Sequence, residues 1–190
     1  MKSPKNPSKI ISFIVLVLII FVLSAVSNQF NNIGQKTSSI NPGYYKVERF
    51  VDGDTISVNM NGKTEKVRLI GVDTPETHKP NTPVQCYGPS ASAFTKNVIG
   101  TQKVRLQADP LSTNRDKYGR LLRYVYLADG TNINAKIIST GNGFYYPYFP
   151  FEKKDEFAKL QSQAKSDNKG LWGNCNPIQN SRGGYTSNPM

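Results

Sequence analysis

Hydrophobic residues are most concentrated near the start of the chain. Residues 10–26 form an uncharged, strongly apolar run that follows three lysines. A positive flank before such a run is typical of a secretory signal or a membrane anchor. The most apolar part, residues 10–23, is short for a bilayer span, and Ala-Val-Ser at 25–27 is an acceptable cleavage site. The sequence therefore predicts a signal peptide or a retained anchor over residues 1–27, and export of the rest of the chain.

Further along, apolar and polar positions alternate in several short stretches. Ile56, Val58 and Met60 alternate with polar residues, and the Asn-Gly pair after them is a strong hairpin signal. The same alternation predicts five strands, at 44–51, 55–60, 65–72, 103–108 and 121–127.

Apolar residues at helical spacing occur in three other stretches. Pro89 and Gly100 bound the first, Gly141 closes the second and Gly170 stops the third. The predicted helices cover residues 89–100, 132–140 and 151–168. Five strands with a helix between the third and the fourth fit a β-barrel with helices (α+β), specifically a closed five-stranded OB-fold barrel with three helices, although several α+β folds share this element order.

Polar sequence without a period flanks this predicted domain. Residues 28–43 are rich in Asn, Gln, Ser and Thr and predict a linker. Residues 176–190 have a similar composition and predict a disordered tail. The folded domain is therefore predicted to span residues 44–175.

The charge balance is strongly basic. The sequence has 24 Lys and Arg against 13 Asp and Glu, a net charge of +11. All the acids lie at or after Glu48, yet the part from residue 37 onward has 20 bases against those 13 acids, a net charge of +7. A basic domain favours polyanionic partners such as nucleic acid or an anionic surface, although a merely soluble cationic protein has the same balance.

Four short segments carry most of the candidate chemistry. Asp52–Thr55 alone is a turn signal, and Asn114–Arg120 alone is a polar hairpin loop. In Val67–Thr77, Arg68 lies within an apolar strand, where an arginine must point outward or find an anion. Asp73 and Glu76 follow it. They either form a surface ion pair with Arg68 or are a metal ligand and a base beside a phosphate-binding arginine. Phe144–Phe151 is rich in aromatic residues. Part of it is expected to lie in the core, and its exposed members are expected to stack on bases.

The sequence has two cysteines and a single histidine. Cys86 and Cys175 are an even number in a chain with an export signal, which favours a disulfide. Two free thiols are the alternative, and they are expected if the compartment is reducing. No zinc-ligand spacing is present, and His78 is interpreted as a loop residue without a role.

Taken together, the motifs resemble one family. Asp-Gly-Asp-Thr, then Arg-Leu-Ile-Gly-Val-Asp-Thr-Pro-Glu, then Tyr-Gly-Pro-Ser-Ala-Ser-Ala-Phe-Thr-Lys, then Asp-Lys-Tyr-Gly-Arg is similar in order and spacing to the staphylococcal nuclease (thermonuclease) family. The resemblance runs from about Tyr44 to Trp172. It implies an OB-fold barrel and a calcium-dependent nuclease that acts on DNA and RNA and releases 3′-phosphate products.

Position by position, the resemblance also implies a metal site. Asp54 and Asp73 correspond to the family's calcium carboxylates, and Thr74 corresponds to the residue that adds its backbone carbonyl. Calcium is a hard ion that prefers such oxygen ligands. So few protein ligands imply weak binding, which is sufficient outside a cell if calcium is plentiful there.

The resemblance further implies the catalytic and substrate-binding residues. Arg68 and Arg120 correspond to the arginines that hold the scissile phosphate, for which a planar, permanently charged guanidinium is well suited. Glu76 corresponds to the general base that takes a proton from water. Lys117 and Tyr118 match family residues near the bound nucleotide. Either Tyr146 or Tyr148 matches the family's remaining tyrosine contacts.

Two other functions compete with this interpretation. A non-catalytic OB-fold module that only binds nucleic acid predicts erosion of the acids and arginines, yet all five are present. A membrane-tethered structural or adhesion domain explains the anchor and the charge but not the ordered motifs. We expect a monomer whose partners are DNA and RNA, which contacts a membrane only through its N-terminal segment. Its expected location is extracytoplasmic, either membrane-anchored or secreted.

Overall fold

The computed structural model describes residues 43–77 and 82–190. The predicted signal or anchor, all but the last residue of the predicted linker and His78 lie outside these ranges. Inside them, the helices are all too short or too polar to cross a bilayer. The strands, numbered in chain order, are β1 Tyr44–Asp52, β2 Thr55–Met60, β3 Lys63–Leu69, β4 Val72–Asp73, β5 Lys103–Gln107, β6 Leu121–Tyr126, β7 Phe144–Tyr145, β8 Ile178–Gln179 and β9 Tyr185–Thr186.

Five of these strands close into a barrel in the order β1-β2-β3-β6-β5. All neighbours are antiparallel except β3 and β6, which run parallel with Arg68 opposite Leu122. The hairpin between β2 and β3 turns at Asn61 and Gly62, whose φ angles of 56° and 88° are those that a tight hairpin turn requires. The predicted five-stranded barrel with helices is confirmed.

The barrel interior is filled by alternate residues of its strands. Ile56, Val67 and Val125 are completely buried, as are Ile137 of the second helix and Phe157 of the third. All five belong to one hydrophobic core. The strands therefore show the period-two pattern that the sequence predicts, because one face of each strand packs inward.

The helices are α1 Gly88–Ile99, α2 Ile133–Ser139, α3 Lys154–Ser166 and the short α4 Leu171–Asn174. Helix α2 begins after Asn132, whose side chain accepts a hydrogen bond from the N–H of Ala135 at 3.1 Å. The predicted third helix begins three residues too early. Phe151 lies in the preceding loop and packs its ring against Phe157, with 5.7 Å between the ring centroids, so its apolar character reflects core packing.

The predicted strand 65–72 is also interrupted. Strand β3 ends at Leu69, and Gly71 turns the chain with a φ of 70°. The two residues after this turn form β4, which pairs with β7 instead of continuing the barrel. The chain therefore leaves the barrel ladder at this turn, and Asp73 lies opposite Phe144 in the β4–β7 pair.

Residues 176–190 differ from the predicted disordered tail. They contain the β8–β9 hairpin, and the backbone N–H of Cys86 donates to the carbonyl of Asn188 at 2.7 Å. Tyr185 stacks on Phe144 and meets Trp172 edge to face, with ring centroids 6.0 and 5.0 Å apart. The prediction of disorder was wrong because one aromatic anchor and pairing with a distant segment stabilise a stretch whose composition is otherwise polar.

The two cysteines are joined in the structure. The sulfur atoms of Cys86 and Cys175 are bonded, and their Cα atoms lie 6.0 Å apart. The bond connects the segment before α1 to the residue after α4 across a sequence separation of 89. A loop of that size contributes about 4–5 kcal/mol in the chain-entropy model.

Gly141 is expected to tolerate no side chain. It has a φ of 70°, and a Cβ there would collide with the backbone carbonyl of Lys169. Gly130 has a similar φ of 87° but open space around it, so Gly130→Ala isolates the backbone cost, which is about 1–2 kcal/mol. Urea denaturation should therefore show a clearly larger loss for Gly141→Ala than for Gly130→Ala. Equal losses of stability in the two variants would mean that the contact between Gly141 and the Lys169 backbone is easily displaced.

Candidate active site

Asp54 is buried in the β1–β2 turn, immediately before β2, where this turn meets the end of β4. One carboxylate oxygen accepts hydrogen bonds from the backbone N–H and the hydroxyl of Thr74, at 3.0 and 3.2 Å. The other accepts from the hydroxyl of Thr55 at 2.9 Å. The turn can approach this closely because residue 53 is glycine: a Cβ on Gly53 would lie 2.8 Å from the side chain of Thr74.

Arg68 lies between two carboxylates. Its Nη1 is 2.5 Å from Oδ2 of Asp54, and its Nη2 donates a hydrogen bond of 2.9 Å to Oδ1 of Asp73. The contact of Nη1 with Asp54 is an ion pair without hydrogen-bond geometry. An arginine within this apolar strand was expected to point outward or find an anion, and Arg68 contacts two. Both predicted calcium carboxylates therefore face one cationic group.

The charges around Arg68 are unbalanced. Burial raises the pKa of Asp73, and the neighbouring Asp54 and Glu76 raise it further against the opposing effect of Arg68. Burial works against the charge of Arg68, but Asp54 and Asp73 outweigh it and raise the pKa of the guanidinium. Three acids thus act on one arginine, an excess of negative charge that an additional cation would relieve.

Glu76 follows on the chain that leaves β4, close enough for its charge to influence Asp73 and Arg68. Its backbone is held by Gln85. The N–H of Glu76 donates to the side-chain oxygen of Gln85 at 2.8 Å, and its carbonyl accepts from the N–H of Gln85 at 3.0 Å. Gln85 thereby fixes the position from which the predicted base extends.

Arg120 enters the site from the loop before β6. Its Nε donates to Oδ2 of Asp116 at 2.6 Å, and its backbone N–H donates to Oδ1 of the same residue at 3.0 Å. Although partial burial works the other way, hydrogen bonds from Arg120 hold the pKa of Asp116 below its ordinary value. Nη1 of Arg120 lies 3.5 Å from the hydroxyl of Thr55, and Thr55 pairs with Arg68 across the β2–β3 ladder. Folding therefore brings the two predicted phosphate-binding arginines together.

Lys117 and Tyr118 precede Arg120 on the same loop. The Tyr118 side chain is 72% exposed, with the Lys117 ammonium 5.0 Å and the Arg120 guanidinium 5.4 Å from its ring centroid. An exposed aromatic ring between two cations offers a stacking surface and positive charge together.

A cavity of about 560 Å³ connects these groups. Arg68 and Arg120 line it, and Asp54, Asp73 and Glu76 lie beside Arg68 outside its wall. A more open hollow of about 470 Å³ beside Cys175 is lined by none of the predicted catalytic, metal-binding or substrate-binding residues. The other predicted residues that line the larger cavity are Lys117, Tyr118 and Tyr146.

The two tyrosines that the sequence left open occupy different places. Tyr146 lines the cavity, and the nearby Asp73 and Arg68 influence its pKa, which burial raises. Tyr148 turns toward the C-terminal hairpin, where its hydroxyl accepts a hydrogen bond of 2.5 Å from Asn180. The geometry therefore favours Tyr146 as the tyrosine that faces a ligand in the cavity.

Three residues that position the site received no role from the sequence. Asp116 orients Arg120, Thr55 bridges Asp54 and Arg120, and Gln85 holds the backbone of Glu76. Asp116 had a local signal, because an aspartate three residues before a glycine is typical of a turn that the side chain caps. Gln85 had none, since its partner is set by the path of the intervening loop.

The acidic pair fits a cation with few protein ligands. Within residues 43–77 and 82–190, no cluster of three or more His, Cys, Asp or Glu side chains has the geometry of a metal site. Asp54 and Asp73 nevertheless converge on one positive group at 2.5 and 2.9 Å, and 35% of the Asp73 side chain remains exposed. A buried carboxylate beside one that remains partly exposed suits a hard ion that keeps several waters.

Comparison with known proteins places this architecture among the nucleases. The family model for staphylococcal nuclease homologues matches residues 66–174. The thermonuclease of Staphylococcus hyicus is 44% identical over 168 residues, which cover 85% of this chain and 95% of that protein. The thermonuclease of Staphylococcus intermedius is 42% identical over 164 residues, covering 83% and 95%. Endonuclease YncB of Bacillus subtilis is 39% identical over 170 residues, covering 85% and 76%.

Proposed function

Because the chain belongs to the staphylococcal nuclease family, we propose that it is a calcium-dependent nuclease that hydrolyses phosphodiester bonds of DNA and RNA and releases 3′-phosphate products. The observation that carries this proposal is that two arginines line one cavity and three acids lie beside one of them, Arg68. The basic net charge of the domain favours association with a polyanionic substrate.

The arginines hold the phosphate. Arg68 and Arg120 each present a planar guanidinium that can donate two parallel hydrogen bonds to phosphate oxygens. Arg120 is oriented by Asp116, which leaves the opposite edge of its guanidinium for the substrate. As negative charge grows on the phosphate in the transition state, these donors strengthen their interaction with it.

The acids divide into two roles. Asp54 and Asp73, with the backbone carbonyl of Thr74, would hold Ca²⁺. When bound, the ion would neutralise charge on a phosphate oxygen. Glu76, whose backbone is fixed by Gln85, takes a proton from the attacking water. Glu76 follows Asp73 by only three residues, and its charge acts on both Asp73 and Arg68.

The substrate strand lies along the aromatic side of the cavity. Tyr118 and Lys117 contact the nucleotide from one loop, and Tyr146 contacts it from the other wall. The protein acts as a monomer outside the cytoplasm, secreted or held by its N-terminal segment. The disulfide between Cys86 and Cys175 suits an oxidising compartment.

Calcium is the most direct test. Plasmid DNA should be cleaved with calcium, left intact with EGTA and cleaved again once calcium is restored. A dissociation constant near 10⁻⁴–10⁻³ M is expected from so few ligands. Added calcium should also raise the melting temperature, because an ion that binds only the folded state stabilises it.

Asp73→Asn should weaken both calcium effects, and Asp155→Asn on the exposed face of α3 should change neither. Cleavage that ignores both EGTA and calcium would contradict the assignment of Asp54 and Asp73. Binding of nucleic acid without cleavage under any of these conditions would favour the non-catalytic OB-fold module.

A further inference from the structure

The C-terminal hairpin brings one cation to the edge of the aromatic wall, the surface formed by Tyr146, Tyr148 and Phe149. Arg182 is the only charged side chain within residues 176–190, and it lies exposed in the turn between β8 and β9. Its backbone N–H donates to the side chain of Asn180 at 3.0 Å, and Asn180 also accepts from the N–H of Gly184 at 3.3 Å. The side chain of Asn180 therefore closes the turn and holds Arg182 at a defined place.

Arg182 lies over an aromatic ring. Its guanidinium carbon lies 4.6 Å from the ring centroid of Tyr148, and the hydroxyl of that ring is held by Asn180. Gly184 lies directly against the Tyr148 hydroxyl, and a Cβ at this position would displace the tyrosine ring. A guanidinium that lies over a ring still directs its N–H groups outward in its own plane, so it remains able to bind a phosphate with two donors.

Arg182 and Tyr148 are connected to the cavity through Tyr146. Tyr148 meets Tyr146 edge to face with 4.7 Å between ring centroids, and Tyr146 lies in the cavity wall together with Arg68. Tyr146 also contacts Phe149, which is 61% exposed. Burial raises the pKa of Tyr146 while both Arg68 and Arg182 act to lower it, so the same ring lies within reach of both charges.

Arg182 differs from the arginines of the site in its charge balance. Arg68 is paired with Asp54 and Asp73, and Arg120 is paired with Asp116. Within residues 43–77 and 82–190, Arg182 makes no ion pair with a carboxylate. Its charge is therefore available to an anion from solution, and a strand leaving the cavity along the aromatic wall would present one.

We propose that Arg182, supported by the ring of Tyr148, binds a backbone phosphate of an unpaired nucleic-acid strand beyond the scissile phosphate. The inference rests on the proposed nuclease function for the identity of the strand. The hairpin then extends the binding surface past Tyr146 and gives longer strands a contact that a dinucleotide cannot reach.

Binding without cleavage tests the contact first. Fluorescence anisotropy in EGTA would follow a labelled oligothymidylate of about 12 nucleotides at several salt concentrations between about 50 and 200 mM. Losing one phosphate contact should reduce the salt slope of log K by about 0.7 in Arg182→Ala. The dissociation constant should rise about twofold to fivefold, the range of an exposed ion pair. Arg182→Lys should keep the slope, which separates loss of charge from damage to the hairpin.

A matched control and a kinetic comparison complete the test. Arg49 is an exposed arginine of β1 outside the cavity wall, and Arg49→Ala should leave slope and affinity unchanged. With calcium present, Arg182→Ala should raise KM for the oligonucleotide and leave kcat/KM for a dinucleotide unchanged. An unchanged salt slope, or equal losses on both substrates, overturns the proposal.

The result is distinguishable from failure of the proposed function. A wild-type protein that binds the strand but never cleaves it refutes the nuclease and still allows the salt slope to decide the role of Arg182. A protein that cleaves normally while Arg182→Ala keeps the wild-type slope refutes only the outer phosphate contact. A protein that neither binds the strand in EGTA nor cleaves it with calcium overturns both.

Discussion

Replacing Arg120 with lysine is expected to lower kcat for phosphodiester cleavage by roughly 10²–10³, the usual effect of losing one donor to a developing charge. Lysine keeps the positive charge but loses the planar fork. It also cannot keep the present geometry, in which Nε binds Asp116 while the rest of the guanidinium faces Thr55 and the cavity.

The pattern of the loss is as informative as its size. An interaction made only in the transition state lowers kcat and kcat/KM equally and leaves KM unchanged. Steady-state kinetics on a short oligonucleotide would measure both. Arg105→Lys is the matched control. Arg105 lies on β5 with its guanidinium carbon 4.3 Å from the ring centroid of Tyr126, and it does not line the cavity. Near-normal turnover by Arg120→Lys would remove Arg120 from the proposed site.

Replacing Glu76 with glutamine is expected to lower kcat by about 10²–10⁴, the usual contribution of a general base. The amide has nearly the shape of the carboxylate but cannot take a proton from water. The backbone hydrogen bonds to Gln85 do not involve the substituted group, so the loop should keep its position. The substitution also removes one of three negative charges around Arg68, and substrate should therefore bind at least as tightly.

Single-turnover kinetics with enzyme in excess would isolate the chemical step from binding. Glu156→Gln changes the same group on the exposed side of α3, where it pairs with Lys153, and should leave the rate constant unchanged. A Glu76→Gln variant with a wild-type rate constant would show that another group, or water alone, accepts the proton. A large loss that appeared only in KM would instead indicate a role in binding.

The sequence predicted the barrel well because the signals for it are local. Ile56 and Val67 lie on strands whose alternation marks the inward face, and the Asn-Gly pair marks the hairpin between them. Arg68 was also interpretable, since a charged group in an apolar strand must have a partner. What the sequence alone left open was which acids would supply that partner.

Two outcomes that the sequence did not determine concern contacts between distant segments. The choice between Tyr146 and Tyr148 depended on Asn180, which lies 32 positions after Tyr148. The order in residues 176–190 depended on pairing with the segment around Cys86. Neither contact leaves a periodic trace in the sequence, because a single hydrogen bond or aromatic ring is sufficient to set it.

The contacts of Gln85 have a consequence for synthesis of the protein. Gln85 holds Glu76 on one side, and on the other its amide donates to the hydroxyl of Thr186, 101 positions later, at 3.2 Å. A ribosome that has reached residue 175 has already made every acid and arginine of the proposed centre. Such an unfinished polypeptide still lacks residues 186–190, which pair with the segment at residues 84–86, so the segment next to Glu76 gains its last support only after those later residues have been made.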